Sequence, residues 1–234
     1  MSAIQFGYCV PIFAYPGGRL FRAPNYAKLD VNRTMNLARL ADALEYDSLW
    51  VADHLMLGHD NAIMEGWTTL AALAGATQQA KLGMIHQGHF FRHPAIAAKM
   101  TATLDQISGG RFIYFIDGGY GRQEHLAYGL PYPDTMEERV AEVVAGLEVT
   151  LALWQSDQPV TFDHGRYQLH AATCTPRPMQ QPHPPFGSAR HTGPASRLCS
   201  LWSGLEHRAG DSTRITTPAC SPGCCLSRRG AHRC

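Results

Sequence analysis

An acid and an imidazole stand next to each other at Asp53 and His54, directly after the apolar run 48–52. Histidine exchanges protons near neutral pH, and a carboxylate close to the ring can fix its tautomer or its charge. Neighbouring residues of a strand point to opposite faces, however, so the two side chains need not touch. The pair therefore predicts either a catalytic histidine or an aspartate that only caps the loop after a strand.

Three histidines follow another apolar run, at His86, His89 and His93. This H-x2-H-x3-H spacing can bind a metal ion. No acidic residue accompanies the histidines, and Pro94 is well placed as the first residue of a helix. We therefore predict a polar loop that faces a pocket, and no metal site.

A glycine-rich turn occupies residues 118–121, after the apolar run 111–116 and Asp117. Glycines at the end of a strand let the backbone approach a flat or anionic ligand closely. The turn lacks the G-x-G-x-x-G spacing of dinucleotide-binding folds, and it follows the fourth apolar run rather than the first. It predicts a ligand-binding turn or an ordinary tight turn, but not a Rossmann site.

Apolar runs and helical patterns alternate through residues 1–185. The predicted strands are 4–10, 48–52, 81–86 and 111–116, and the predicted helices are 31–44, 66–78, 94–107 and 135–154. The strands are continuously apolar, which indicates a parallel sheet covered by helices. A doubly wound sheet and a (β/α)8 barrel both fit, and in either fold ligands bind at the carboxyl ends of the strands. The acid, histidine and glycine positions above all lie at such ends.

The composition excludes several classes of protein. The chain has 234 residues, of which 45% are hydrophobic and 17% charged, so it can build a sizeable core. Its net charge of +1 lacks the strong positive charge that is typical of a nucleic-acid-binding protein. We find no apolar run of about 18 residues and no secretory leader, which predicts a cytoplasmic protein with no membrane segment.

The composition changes near residue 185. Residues 186–234 contain seven arginines, no lysine and two acids, and they show no helical or strand periodicity. The tail also holds Cys220, Cys224, Cys225 and Cys234 with His232, which could form a zinc or disulfide knot, but the paired C-x2-C spacing of zinc sites is missing. We predict a barrel portion at 1–185 and an irregular tail at 186–234.

The motifs of the first part resemble those of the bacterial luciferase-like superfamily. The matching stretches are Tyr-Asp-Ser-Leu-Trp-Val-Ala-Asp-His-Leu at 46–55, Arg-His-Pro at 92–94, Ala-Thr-Leu-Asp-Gln-Ile-Ser-Gly-Gly-Arg-Phe at 102–112, Gly-Gly-Tyr-Gly-Arg-Gln-Glu-His-Leu-Ala-Tyr-Gly at 118–129, Glu-Arg at 138–139 and Gln-Pro-His-Pro-Pro at 181–185. They occur in the order of that superfamily and at about its spacing. The resemblance implies a (β/α)8 barrel that uses reduced FMN or the deazaflavin F420.

The resemblance also implies roles for single residues. His54 matches the histidine that acts at the active site at the end of the second strand, and Asp53 matches the acidic residue before it. Residues at the ends of the third and fourth strands are expected to lie against the flavin ring. These expected cofactor-binding residues are His86, Gln87, Asp117, Gly118 and Gly119.

By resemblance we expect a flavin-dependent oxidoreductase, and we favour a reduced-FMN-dependent monooxygenase. Its partners would be a small organic substrate, molecular oxygen and a flavin reductase that supplies the reduced FMN. An F420-dependent enzyme that transfers hydride is one alternative, and a non-catalytic fragment that only associates with intact family members is another. The superfamily implies a homodimer or larger oligomer that packs through helices 66–78 and 94–107.

The sequence departs from the superfamily after Pro185, where a fifth strand is usual. Phe186-Gly-Ser-Ala-Arg-His-Thr-Gly stands in that place and the irregular tail follows. Arg, Ser, Cys, Gly and Pro enrichment without lysine is typical of a shifted reading frame in a GC-rich gene. We therefore expect about four parallel strands, an incomplete barrel and no turnover by this chain.

Overall fold

A computed structural model describes residues 4–15, 28–119 and 121–188. In chain order its main elements are β1 (Gly7–Cys9), α1 (Val31–Ala43), β2 (Ser48–Val51), α2 (Gly66–Ala76), β3 (Lys81–Met84), β4 (Gln87–Gly88), α3 (Pro94–Ser108), β5 (Phe112–Asp117), α4 (Arg122–Ala127), α5 (Met136–Gln155), β6 (Val160–His164), β7 (Tyr167–Ala172) and β8 (Phe186–Ser188). No helix in the described part of the chain combines the length and apolar character needed to cross a bilayer.

The main sheet is parallel throughout and has helices between its strands. Its order is β1-β2-β3-β5, and both β4 and β8 pair with β5. Strands β6 and β7 form a separate antiparallel hairpin. The predicted α/β class with a parallel sheet is confirmed, and all carboxyl strand ends lie at one edge of the sheet.

The helices begin where side chains can satisfy the free N–H groups of their first turn. Asp30 accepts a hydrogen bond from the Arg33 N–H at the start of α1. Thr135 and Glu138 form a reciprocal capping box at the start of α5. These caps explain why the predicted helix boundaries agree closely with the observed ones.

One face of the sheet packs against the helices and forms the main core. Leu49, Leu82 and Tyr114 are almost fully buried there. The ring of Tyr114 meets the indole of Trp154 edge-on, with 5.3 Å between the centroids, and the indole N–H donates to the Ala98 carbonyl at 3.0 Å. Burying such side chains stabilises the fold by about 1.5–3 kcal/mol each.

The opposite face of the sheet carries two large aromatic rings. The indole of Trp50 occupies the space above Gly7 and Gly83 on the two flanking strands, so a side chain at either glycine would collide with it. Phe115 lies edge-on to Trp50 with 5.7 Å between the centroids, and it covers Gly187 in the same way. The glycines therefore make room for the rings that fill this face.

The amino ends of the strands are tied together by one arginine and one aspartate. The guanidinium of Arg111 donates to the carbonyls of Ala74, Thr77 and Ala80, and so satisfies the end of α2. The buried carboxylate of Asp42 accepts the N–H groups of residues 78–80. Burial opposes ionisation of Asp42, but these backbone hydrogen bonds and the charge of Arg111 outweigh it and lower its pKa.

The sheet contains two short strands beyond the four that the sequence predicts, β4 and β8, and β8 lies within the predicted irregular tail. Phe186 pairs in register with Tyr114, and its ring packs on Tyr114 and Trp154 at 5.6 and 5.8 Å. Three residues are too few to show a strand pattern, so sequence periodicity could not find this element. The hairpin β6–β7 and the short helix α4 were likewise not predicted. The division at residue 185 stays a prediction, and the four tail cysteines and His232 lie outside the described residues.

Candidate functional site

The carboxyl ends of the strands bring together several of the predicted residues. His54 follows β2, His86 follows β3 and Asp117 ends β5. The His86 Nδ1 lies 3.9 Å from Asp117 Oδ2, and its ring stacks on Phe115 with 5.3 Å between the centroids. The strand ends therefore place a histidine beside a buried carboxylate above the aromatic face of the sheet.

The partner of His54 is Glu124, a residue 70 positions further along the chain. Its Oε1 lies 2.8 Å from His54 Nδ1, and its Oε2 accepts the N–H groups of Leu55 at 2.9 Å and Met56 at 3.2 Å. Burial raises the pKa of Glu124, but the hydrogen bonds from His54 and from the two backbone N–H groups outweigh burial and lower it. Glu124 is therefore an ionised carboxylate held by three donors.

This contact decides which nitrogen of His54 is available for chemistry. An ionised carboxylate only accepts hydrogen bonds, so Nδ1 of His54 carries the proton that points at Glu124. The opposite nitrogen, Nε2, makes no hydrogen bond to any described residue, and 23% of the side chain is exposed. In the neutral ring Nε2 can accept a proton from an outside group, and the charge that then forms faces Glu124.

Asp53 contacts an arginine and not His54. Its two carboxylate oxygens receive the Arg92 guanidinium at 2.6 and 2.9 Å, and one of them also accepts the Gly88 N–H at 2.9 Å. The side chain is almost fully buried. Because adjacent strand residues diverge, Asp53 positions Arg92 and β4, and its expected catalytic role stays a prediction.

The side chain of Gln87 is buried. It lies against the hydroxyl of Tyr114, a residue of the main core. His86 precedes it and faces the carboxyl end, and alternation along the chain turns the next side chain away. The expected contact of Gln87 with a cofactor stays a prediction.

The two glycines after β5 differ in the space beside them. The backbone of Gly118 is buried, yet no heavy atom of the described residues, apart from its chain neighbours, lies within 4 Å of the point where a side chain would begin. Gly119 has a φ of +82°, and its Cβ position lies 3.4 Å from the ring of Phe90. A ligand could lie against Gly118, whereas Gly119 closes the turn onto the aromatic residues beside it.

The remaining predicted histidines serve separate contacts. His89 is buried and its Nε2 lies 2.7 Å from the hydroxyl of Tyr167 on the hairpin. His93 accepts the Ala95 N–H at 3.2 Å and caps α3. Among residues 4–15, 28–119 and 121–188, no group of three His, Cys, Asp or Glu side chains is arranged to hold a metal ion.

The site contains residues that sequence reasoning did not assign. Glu124 and His125 occur together in a stretch that carries the resemblance, but nothing in the local pattern indicates that Glu124 reaches back to His54. Arg92 was likewise noted only as part of Arg-His-Pro. All of these contacts join positions at least 35 residues apart, so only the fold brings them together.

A family model and the most similar known proteins point to the same family. The model of the luciferase-like monooxygenase family matches residues 5–197. The FMNH(2)-dependent dimethylsulfone monooxygenase of Pseudomonas putida is 30% identical over 85% of this chain and 55% of its own length. The F420-dependent glucose-6-phosphate dehydrogenase of Kineococcus radiotolerans is 33% identical over 68% of this chain and 50% of its own.

Solved structures agree with this assignment. An F420-dependent secondary alcohol dehydrogenase superimposes with a TM-score of 0.64 at 26% identity, over 80% of this chain and 52% of that one. The monooxygenase RslO1 from Streptomyces bottropensis has a TM-score of 0.67 at 23% identity, and it supports the fold alone. The chain spans about half the length of the curated relatives it matches. It belongs to the luciferase-like monooxygenase family.

Proposed function

We propose that this chain carries the proton-handling side of the active site of a flavin-dependent oxidoreductase, specifically a reduced-FMN-dependent monooxygenase of a small organic substrate. The observation that carries the proposal is the His54–Glu124 pair at the carboxyl end of β2. Bound reduced FMN would supply the electrons for oxygen insertion. The co-substrate would be molecular oxygen, and a flavin reductase would be the partner that supplies reduced FMN.

In this proposal His54 moves a proton through its Nε2. The neutral ring accepts a proton from the reacting group, and the imidazolium is stabilised by Glu124 at 2.8 Å. Such general acid–base catalysis is worth about 10²–10⁴-fold in rate. Glu124 does not touch the substrate, and acts by holding the tautomer and orientation of His54.

Four residues at the strand ends fit the cofactor. Gly118 offers open space beside a buried backbone, and Gly119 closes the turn behind it. His86 and Asp117 present polar groups at the ends of β3 and β5, on the same edge as His54. We propose that these four residues line the flavin ring, while Asp53 and Arg92 hold the strand ends in place.

F420-dependent hydride transfer is a second candidate. The F420-dependent relatives are as similar to this chain as the FMN-dependent one, and the His54–Glu124 pair would serve equally well to take a proton from an alcohol as hydride leaves its carbon. The same residues would then face a deazaflavin. The extent of the match is the same for both cofactors, since the dimethylsulfone monooxygenase covers 85% of this chain and one F420-dependent relative covers 86%. We keep the FMN enzyme as the first proposal and test F420 beside it.

A third candidate is a non-catalytic role in which the chain only associates with intact family members or with itself. The outer face of α3 exposes Ile96 by 57% and Ile107 by 55%. These residues lie three turns apart on the same side of the helix. We propose this stripe, together with α2, as the face through which a dimer forms.

One experiment separates the three candidates. The purified 234-residue chain is incubated with FMN, a flavin reductase and oxygen, and separately with oxidised F420. Both arms receive a panel of small sulfones, sulfides, ketones and alcohols. Oxygenated products in the first arm only would support the monooxygenase, and alcohol oxidation in the second arm only would replace it by the hydride-transfer enzyme. Flavin binding without either product would favour the non-catalytic role.

A further inference from the structure

Asp117 places a buried carboxylate next to the space that we propose for the flavin ring. Its side chain is 3% exposed. The following residue, Gly118, has no heavy atom of the described residues, apart from its chain neighbours, within 4 Å of its Cβ position. Reduced FMN loses the proton of ring nitrogen N1 near neutral pH and is then an anion. A carboxylate beside this space would repel the anionic ring, because little water is present to screen the two charges.

His86 is the group that could compensate this negative charge. Its Nδ1 lies 3.9 Å from Asp117 Oδ2, and 16% of its side chain is exposed, so a ligand at the strand ends can reach the imidazole. Phe115 covers one face of the imidazole, with 5.3 Å between the centroids and 29° between the planes. The structure therefore holds an accessible imidazole beside the buried carboxylate.

The distance to Asp117 leaves the charge of His86 adjustable. At 3.9 Å the two groups attract each other through space but form no direct hydrogen bond. His54 differs, because its Nδ1 lies 2.8 Å from Glu124 and this hydrogen bond fixes its tautomer. His86 can therefore gain a proton without breaking a bond to its carboxylate, and Asp117 stabilises the imidazolium that results.

The other two carboxylates at these strand ends have partners of their own. Asp53 binds an arginine, and Glu124 binds His54 and two backbone N–H groups. Within the described residues, Asp117 is the acid that lies within 4 Å of a ring nitrogen of His86. The protonation of His86 is therefore coupled mainly to Asp117 and to the charge of a bound ligand.

We propose that His86 takes up a proton from solvent when reduced FMN binds, and that its imidazolium, paired with Asp117, stabilises the anionic flavin ring. This inference rests on the proposed function. It assigns His86 to the charge balance of the cofactor, whereas His54 handles the proton of the substrate. Positive charge beside the ring favours the reduced flavin over the oxidised one, so the preference for reduced FMN increases as the pH falls.

The test compares the affinities for oxidised and reduced FMN at about pH 6 and about pH 8. Both forms are titrated onto the full 234-residue chain by anaerobic equilibrium dialysis. The proteins are the wild type, His86→Gln and the control His164→Gln, whose exposed ring lies on the hairpin. The preference for reduced FMN is the ratio of the two dissociation constants.

We expect this preference to increase between pH 8 and pH 6 by about tenfold more in the wild type and in His164→Gln than in His86→Gln. The titration of the flavin itself is common to all three proteins and cancels in this comparison. An equal pH dependence in the wild type and in His86→Gln would overturn the inference, while binding of FMN by both would leave the proposed function in place.

A second measurement observes the imidazole in the wild type and does not depend on a variant that folds. In the 15N-histidine-labelled chain, the ring nitrogens of His86 should titrate about one pH unit higher with reduced FMN than with oxidised FMN. Identical titration in the two complexes would also overturn the inference alone. A wild type that binds neither form of FMN would overturn both the inference and the proposed function.

Discussion

Acidification should destabilise the fold through the buried imidazole of His89. Burial lowers the pKa of His89 to about 4, against an ordinary value of 6.5. The folded protein therefore holds this ring neutral through a range in which the unfolded chain would protonate it. Because the unfolded state binds more protons, stability falls as pH drops below 6.5 and the loss is complete near pH 4.

The size of the effect follows from the two pKa values. At 1.36 kcal/mol per pH unit, the window from 6.5 to about 4 corresponds to about 3 kcal/mol, of which about 2 kcal/mol is lost between pH 7 and 5. Structure explains why the ring cannot gain a proton easily. The ring is fully buried, its Nε2 lies 2.7 Å from the Tyr167 hydroxyl oxygen and Gly146 packs directly against it, so water cannot solvate the charged form.

Urea unfolding at pH 7 and pH 5, monitored by tryptophan fluorescence, measures this loss. The matched variant is His89→Gln, which keeps a polar side chain and removes the titration. We expect the wild type to lose about 2 kcal/mol more than His89→Gln over this interval. His93→Gln serves as the control for the neighbouring ring, whose pKa burial also lowers. Equal losses in wild type and His89→Gln would show that His89 is not the group responsible.

Four further substitutions test other parts of the structure. In the enzyme made with the reading frame restored after Pro185, Glu124→Gln should slow turnover by about 10–100-fold and His54→Ala by about 10²–10⁴-fold, with FMN affinity measured alongside and little changed; equal turnover in Glu124→Gln and wild type would remove the pair from the mechanism. Gly83→Ala should lower the free energy of unfolding by about 1–3 kcal/mol because its methyl group meets Trp50, and a denaturant titration that matches the wild type would contradict this. Ile96→Glu should shift the chain to monomer in sedimentation experiments if α3 forms the dimer face, whereas an unchanged mass would place the interface elsewhere.

Sequence patterns located the elements well because local chemistry fixes their ends. Asp30 before α1, Pro94 at the start of α3 and Gly109 after it determine where these helices begin or end, and all three were visible in the sequence. The continuously apolar strand segments also predicted correctly that the sheet is parallel. The two-residue β4 and three-residue β8 were missed because so few residues carry no periodicity.

The site was predicted less completely than the fold. His54 was identified at a strand end, but the sequence left open whether Asp53 contacts it, because neighbouring strand residues point to opposite faces. The fold pairs Asp53 with Arg92, 39 positions away, and His54 with Glu124, 70 positions away. Which of two neighbouring residues faces the ligand depends on the pleat of the strand, and sequence spacing alone does not fix it.

Because the indole of Trp50 fills the space beside Gly7 and Gly83, the residues tolerated at these three positions depend on one another. A larger residue at Gly7 or Gly83 alone would collide with the indole, and a smaller residue at Trp50 alone would leave a cavity. Each of these single substitutions is therefore destabilising. Simultaneous exchange, such as Trp50→Val with Gly83→Ala, removes the collision and refills part of the hole. Libraries that redesign the aromatic face of this sheet should therefore vary the three positions jointly, since scanning them one at a time would wrongly mark all three as immutable.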